Sequence, residues 1–263
     1  MSVKFDAITP VLTPEQLRQQ QQRMADRQAR QQRFGDERRQ QLLDVAWALW
    51  QEAGGQGFNM RQLAQRAGYT AGALYAYFPG REAILSALQQ RVVQELADLV
   101  SGIRAPRGDR TVRPRRDGSP VSSAQAALAR TLFIERSVAW WAWLAGDAQR
   151  LELVLHGGHG VQEAAGEAGV SASVLQGRLA DALQPCLETL QTCGLTPDAA
   201  QQLHDEVLAY GLGLLVLQGP QRGEGRALME SRFVQSLQQW MDQALAATQQ
   251  DADGAGQGDL FSM

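Results

Sequence analysis

Between Asn59 and Arg81 the chain concentrates side chains that can donate or accept hydrogen bonds: Asn59, Arg61, Gln62, Tyr69, Thr70, Tyr75, Tyr77 and Arg81. Guanidinium, hydroxyl and amide groups of this kind hold phosphate oxygens and match the hydrogen-bonding edges of bases. Ala71, Gly72 and Ala73 lie among them and are small. Arg39, upstream, adds a further guanidinium. Nothing in this set pairs a nucleophile with a base, so the chemistry is recognition and not bond breaking. The rest of the sequence agrees. It has no Gly-Lys-Ser/Thr phosphate loop, Lys4 being the only lysine, and neither Gly-x-Ser-x-Gly nor His-Glu-x-x-His. Gly211-Leu212-Gly213 lacks the strand-to-helix setting of a dinucleotide site. His156 and His159 flank two glycines in an expected loop without nearby acidic or cysteine ligands, so neither metal nor cofactor is expected.

The elements that must position these residues are short helices. Asn59 is a good N-cap for a helix through Met60, Leu63, Ala64 and Ala67, and Gly68 supplies the left-handed residue that ends it. Thr70 caps a second helix that ends at Phe78-Pro79-Gly80, and a third runs from Arg81-Glu82 to about Ile103. Two short helices joined by a tight turn must put their apolar faces together, here Leu63, Ala64 and Ala67 against Leu74 and Phe78. That layout is a helix-turn-helix, whose second helix enters a DNA major groove. Upstream, Thr13-Pro14-Glu15 signals the start of a polar helix, with Arg23, Arg27 and Arg30 on one face. Gly35 is expected to interrupt it, and Asp36 to cap a new helix carrying Leu42, Leu43, Ala46, Leu49, Trp50 and Ala53 until Gly54-Gly55.

The stretch from Phe58 to Leu85 resembles the DNA-binding domain of the TetR family of bacterial regulators. The residues that carry the resemblance are Leu63-Ala64, Ala67-Gly68, Thr70, Gly72, Leu74-Tyr75, Tyr77-Phe78-Pro79 and the basic-acidic pair Arg81-Glu82. It covers about residues 37 to 90. Gly80-Arg81 stands where the family has Ser-Lys, so the next helix lacks a capping hydroxyl and offers a guanidinium in place of an ammonium. The resemblance implies phosphate contacts from Thr70, Tyr75 and Arg81, with Tyr77 nearby, and base-edge contacts from Tyr69, Ala71 and Ala73. These three are poor at bidentate reading, so Arg61 or Gln62 is expected to supply polar base contacts. For one of Tyr75 and Tyr77, core packing is an equal alternative. Gly72 is expected to permit close approach of backbones.

Charge fits a polyanion partner. The 263 residues have net charge −3, but residues 1–120 hold 18 Lys plus Arg against 12 Asp plus Glu, and the remainder hold 7 against 16. A basic half joined to an acidic half suggests that the first meets nucleic acid and the second does not. Residues 1–35 form an Arg- and Gln-rich extension, either a solvated segment or an arm on DNA phosphates, and 102–123 read as a flexible basic linker. Two cysteines, Cys186 and Cys193, fit unbridged thiols in a reducing cytoplasm. No apolar run approaches a membrane span, and the start has no signal-peptide pattern.

The remaining residues read as helices near 124–145, 147–156, 171–194, 197–218 and 224–248, followed by a disordered acidic tail at 249–263. Pro185 is expected to kink the third of these. The fold class is therefore all-α: a helix-turn-helix domain at 36–80, then a helical effector-binding and dimerisation domain at 81–248. By the resemblance, that second part holds a small-molecule pocket and a homodimer interface. Phe133, Trp140, Trp141 and Leu144, with His156, are candidate pocket residues, although an aromatic stripe of this kind also serves as plain core. Val207, Tyr210, Leu214, Val234, Leu237, Trp240 and Met241 lie on helices apolar over more than one face, which favours pairing with a second subunit. His204 is expected at the surface or the interface. The expected function is a dimeric repressor of a palindromic operator, released by a hydrophobic or aromatic small molecule. A DNA-binding factor without effector, or a helical small-molecule-binding protein or enzyme with a DNA tether, are the alternatives.

Overall fold

The computed structural model describes residues 14–53, 58–104, 122–156, 172–218 and 223–258. These form ten α-helices and no strand. The chain divides into two compact units, residues 1–53 with 57–79, and residues 54–56 with 80–263.

The first unit contains α1 (Pro14–Ala53), α2 (Met60–Ala67) and α3 (Ala71–Tyr75). α1 is continuous, so the break expected at Gly35 does not occur. A single interior glycine costs roughly 1 kcal/mol relative to alanine. Breaking the helix there would forfeit several backbone hydrogen bonds, a larger loss. The second half of α1 turns Leu42, Leu43, Ala46 and Trp50 inward, and Phe58, Leu63, Ala64, Leu74 and Phe78 are buried in the same unit. α1 packs on α2, and α2 on α3. Arg66 on α2 holds Glu52 on α1 through two short bonds, 2.7 and 2.6 Å, which raises the guanidinium pKa further.

The second unit contains α4 (Arg81–Gly102), α5 (Ser123–Ala145), α6 (Ala148–His156), α7 (Ala172–Ala182), α8 (Gln184–Thr192), α9 (Pro197–Gln218) and α10 (Glu224–Gly258). α5 is central, packing on α4, α6, α8, α9 and α10. Its start is fixed by a capping box in which Ser122 and Gln125 satisfy each other's backbone N–H groups. Its aromatic stripe meets Phe233 of α10: Trp141 stacks on that ring at 5.5 Å and Trp140 meets it edge-on at 5.7 Å. The Trp141 indole N–H donates to the Gly211 carbonyl at 3.2 Å, and a Cβ on Gly211 would overlap the Trp140 ring. Gly211 therefore lets α9 approach α5 closely. Arg136 of α5 donates to the Ile103 carbonyl that follows α4 and, on α8, to the Pro185 carbonyl and the Thr189 hydroxyl. A cation suits the negative end of α4, and partial burial lowers its pKa.

Several expectations need correction here. The helix expected at 171–194 is two, because the ring of Pro185 and its missing N–H disrupt the ladder and the chain breaks at Leu183. α10 continues to Gly258, past the expected start of a disordered tail at Gln249, because extending an existing helix avoids the nucleation cost. His156 is the last residue of α6 and not part of a loop. His204 is buried at 5% exposure within its own chain. The Thr13 cap, the glycines at 54–55, the linker at 105–121, His159 and residues 259–263 lie outside the described residues, as does the side chain of His156.

Candidate DNA-binding face

The turn between α2 and α3 is built by three residues with separate tasks. Gly68 takes φ 74° and ψ 25°, the left-handed region that a Cβ disfavours, and its N–H returns to the carbonyls of Ala64 and Gln65. Tyr69 N–H also reaches the Ala64 carbonyl, at 2.8 Å. Thr70 Oγ accepts from Ala73 N–H at 3.2 Å and so starts α3. At the other end of α2, Asn59 Oδ1 accepts from Gln62 N–H at 2.8 Å, while Gln62 Oε1 accepts from Asn59 N–H at 3.0 Å. Asn59 and Gln62 are thus a reciprocal cap first. Only their amide N–H₂ groups remain for a base, which weakens the expectation that Gln62 is a bidentate reader.

α3 is anchored by one residue. Leu74 is fully buried, a contribution of roughly 2 kcal/mol, and its carbonyl accepts from both Tyr77 and Phe78 N–H, which extends the turn beyond Tyr75. The opposite face is open: Thr70, Ala71, Gly72 and Tyr75 are exposed, Tyr75 at 52%, and Ala73 is half-buried. The sequence expected Gly72 to allow close approach of backbones. A Cβ there would meet nothing within 4 Å among the described residues, so none of them requires the glycine. Any close approach must come from outside them.

The two tyrosines left ambiguous by sequence take different roles. Tyr75 projects into solvent. Tyr77 is half-buried, edge-on to Tyr69 at 6.1 Å, and its hydroxyl lies 3.4 Å from an Arg38 guanidinium nitrogen. Arg39 donates to the Tyr77 carbonyl at 3.3 Å and lies over the Phe78 ring at 4.4 Å. Arg39, expected at DNA, is therefore a strut between α1 and the end of the α3 segment. Arg38 was missed, since nothing in its spacing distinguishes it from Arg39. Arg61 on α2 is exposed.

Residues 42–88 match the sequence profile of bacterial regulatory proteins of the tetR family. That stretch is similar to the DNA-binding domain of the family, and it covers 47 of the 263 residues. The fold of the chain is shared along most of its length with solved structures of low sequence identity. A tetR-family transcriptional regulator from Streptomyces coelicolor is 20% identical with a TM-score of 0.56, over 81% of this chain and 83% of that one. A putative tetR-family regulator from Shewanella sp. PV-4 is 18% identical, TM-score 0.51, over 76% and 95% of the two chains. One from Mesorhizobium loti MAFF303099 is 16% identical, TM-score 0.51, over 79% and 96%. No curated protein matches the sequence.

In the second unit, Arg81 opens α4 after Gly80, which contributes no side-chain cap, and lies 3.3 Å from Glu82. The expected effector residues Phe133, Trp140, Trp141 and Leu144 share one face of α5, but each is at most 2% exposed and they pack as core. Two open clefts lie elsewhere: one of about 280 Å³ between α4 and α7, lined by Gln90, Val93, Gln94, Ala97, Arg178, Asp181 and Ala182, and one of about 360 Å³ between α9 and α10, whose walls include Leu203, Glu206, Trp240 and Ala244. Of the expected interface residues, Val207, Leu237 and Met241 are buried within the chain and have almost no surface left to give a second copy. Tyr210 stacks on Phe233 and meets Trp240 edge-on at 5.1 Å, so these two are partly committed as well. Leu214 and Val234 are half-buried. The apolar residues that do face outward on α9 are Val216, at 54% exposure, and Leu217, at 86%, with half-buried Leu208 and Leu212. Cys186 and Cys193 are unbridged and buried, and burial pushes each thiol up to about 12. No described helix is long and apolar enough to cross a membrane.

Proposed function

We propose that this chain is a transcriptional repressor that binds a palindromic operator as a homodimer and is released by a small molecule. The observation that carries the DNA reading is the open face of α3, where Thr70, Ala71, Gly72 and Tyr75 are exposed and no described residue requires Gly72 to be glycine. In this reading Thr70, Tyr75 and Arg81 hold phosphates. Tyr69, Ala71 and Ala73 touch base edges, chiefly thymine methyl groups, and Arg61 supplies the polar base contact. Two such helices in a dimer would occupy half-sites about one DNA turn, or a multiple of it, apart.

The effector is assigned to the cleft between α4 and α7, not to the tryptophan cluster, because fully packed rings leave no room for a ligand, and not to the larger cleft between α9 and α10, because those are the helices proposed to pair with a second copy. The lining of the assigned cleft mixes Val93, Ala97 and Ala182 with Gln90, Gln94, Arg178 and Asp181, which suits a small molecule with both apolar and polar groups, less hydrophobic than the sequence alone suggested. Release would follow if the ligand favours an arrangement of the two subunits whose α3 helices no longer match the groove spacing.

Footprinting on the DNA upstream of the chain's own coding sequence tests the operator reading. The expected result is a protected palindrome. An unprotected region with no retardation at low salt would sink it. A thermal-shift screen tests the effector separately, since a ligand at a hundredfold its Kd stabilises by about 2.7 kcal/mol. Silence across a broad library would favour a factor without effector.

A further inference from the structure

The first half of α1 has features that operator reading by α3 leaves unused. From Arg18 to Phe34 every residue is exposed, and the helix joins the core only from Leu42 onward. Yet residues 15–34 contain no Gly, Pro, Ser, Thr, Asn, Val or Ile, and consist mostly of Gln, Arg, Ala, Leu and Met. Those are strong helix formers. The sequence specifies a helix while giving it no core to lie on, so what is selected is its surface.

That surface is basic and directional. Residues 14–35 hold five arginines against Glu15 and Asp26. At helical spacing Arg23, Arg27, Arg30 and Arg38 fall within about 80° of arc and cover about 22 Å of axis. Glu37 lies at the edge of this stripe and Asp26 just beside it. Arg38 closes its lower end at the Tyr77 hydroxyl, immediately after α3 and within the same compact unit. The stripe thus begins beside the DNA-facing helix and leads away from it. Phe34, exposed at 62%, interrupts the stripe between Arg30 and Arg38, and Met24, exposed at 66%, lies about 80° round the helix from it and ten residues away, so the two make no continuous apolar seam for a partner helix or a membrane.

We propose that the first half of α1 is a helical arm that lays Arg23, Arg27 and Arg30 along the phosphate backbone of double-stranded DNA, beside the groove that α3 enters. The inference rests on the operator reading above. Its charge complements the partner already assigned to this unit, and its three arginines span about 10 Å of axis, about three base-pair steps. DNA would hold the arm through phosphates alone, so it adds affinity without sequence preference.

The test compares the full chain with its Arg23→Gln/Arg27→Gln/Arg30→Gln variant on the upstream duplex, by retardation between 50 and 200 mM salt. Glutamine keeps helix propensity, and no core contact is touched. Three lost phosphate contacts should reduce the slope of log affinity against log salt by about 2.7, so the unmodified chain loses about 40-fold more affinity over that range than the variant. The Arg23→Lys/Arg27→Lys/Arg30→Lys variant should keep the original slope. Equal slopes for the full chain and the glutamine variant overturn the arm while leaving operator binding intact. A lysine variant as flat as the glutamine one overturns it too, because charge is then not what was lost. Failure of the unmodified chain to bind DNA at any salt overturns the operator reading, and the arm with it.

Discussion

Arg61 and Arg81 carry the same guanidinium but should give different phenotypes. Arg61 is exposed on α2 and assigned to a base edge, so Arg61→Ala should change the preferred sequence, with roughly 1–3 kcal/mol of discrimination lost at one position. Arg81 is assigned to a phosphate, so Arg81→Ala should weaken all sequences alike and lower the salt slope by about one. Binding to a panel of operator variants at several salt concentrations separates the two, and identical behaviour would refute the assignment. Gly72 offers a sharper contrast, because stability and affinity should move in opposite directions. In α3 it occupies a helical position with open space around it, so Gly72→Ala should stabilise the fold by roughly 0.5–1 kcal/mol. If the glycine serves close approach to DNA, the same change lowers operator affinity. A rise in Tm with undiminished binding would remove Gly72 from the interface.

The elements differ in how far sequence specifies them. The helix-turn-helix was readable because its signals are local and redundant: Asn59 with Gln62 at the start of α2, Gly68 at its end, and Thr70 at the start of α3 each have one structural use. Gly35 misled because the same residue that ends a helix is tolerated inside one when its flanks are strong helix formers. The aromatic stripe on α5 was visible as a pattern, yet whether it lines a cavity or fills a core depends on Phe233, some 90 residues away, and no local signal reports that. The same limit hid the outward faces of α9 and α10, where burial is decided by neighbouring helices. Gly211 tests this account of the core. Adding a methyl there gains about 1 kcal/mol in helix propensity but forces it into the Trp140 and Phe233 rings. Overpacking of about 1–3 kcal/mol should win, because Trp141 fixes Phe233 by stacking and is itself held by the Gly211 carbonyl. Gly211→Ala is expected to lower Tm, and an unchanged or raised value would show that the rings can yield.

At the scale of the whole molecule the decisive question is which surface a second copy would cover. The residues that looked most like an interface in the sequence, Val207, Leu237 and Met241, already spend their apolar area inside the chain. Replacing any of them would report on folding, not on assembly. Val216 and Leu217 at the end of α9 are the reverse case, large apolar side chains left more than half exposed; Val216 continues the row of half-buried Leu208 and Leu212, and Leu217 lies about 100° round the helix from it. An apolar surface of this kind on one helix is economical only if something covers it, and a symmetric pairing through α9 and α10 would do so. Val216→Glu with Leu217→Glu should therefore leave the unfolding free energy of the separated chain within roughly 0.5 kcal/mol of its original value, since both sites are exposed. The same pair should shift sedimentation from dimer to monomer. Because a palindrome is held through two half-sites at once, the monomer should also lose most of its operator affinity while keeping the salt-sensitive binding of a single half. A variant that remains dimeric would move the interface off the end of α9, and a monomer with full operator affinity would remove the need for a dimer altogether.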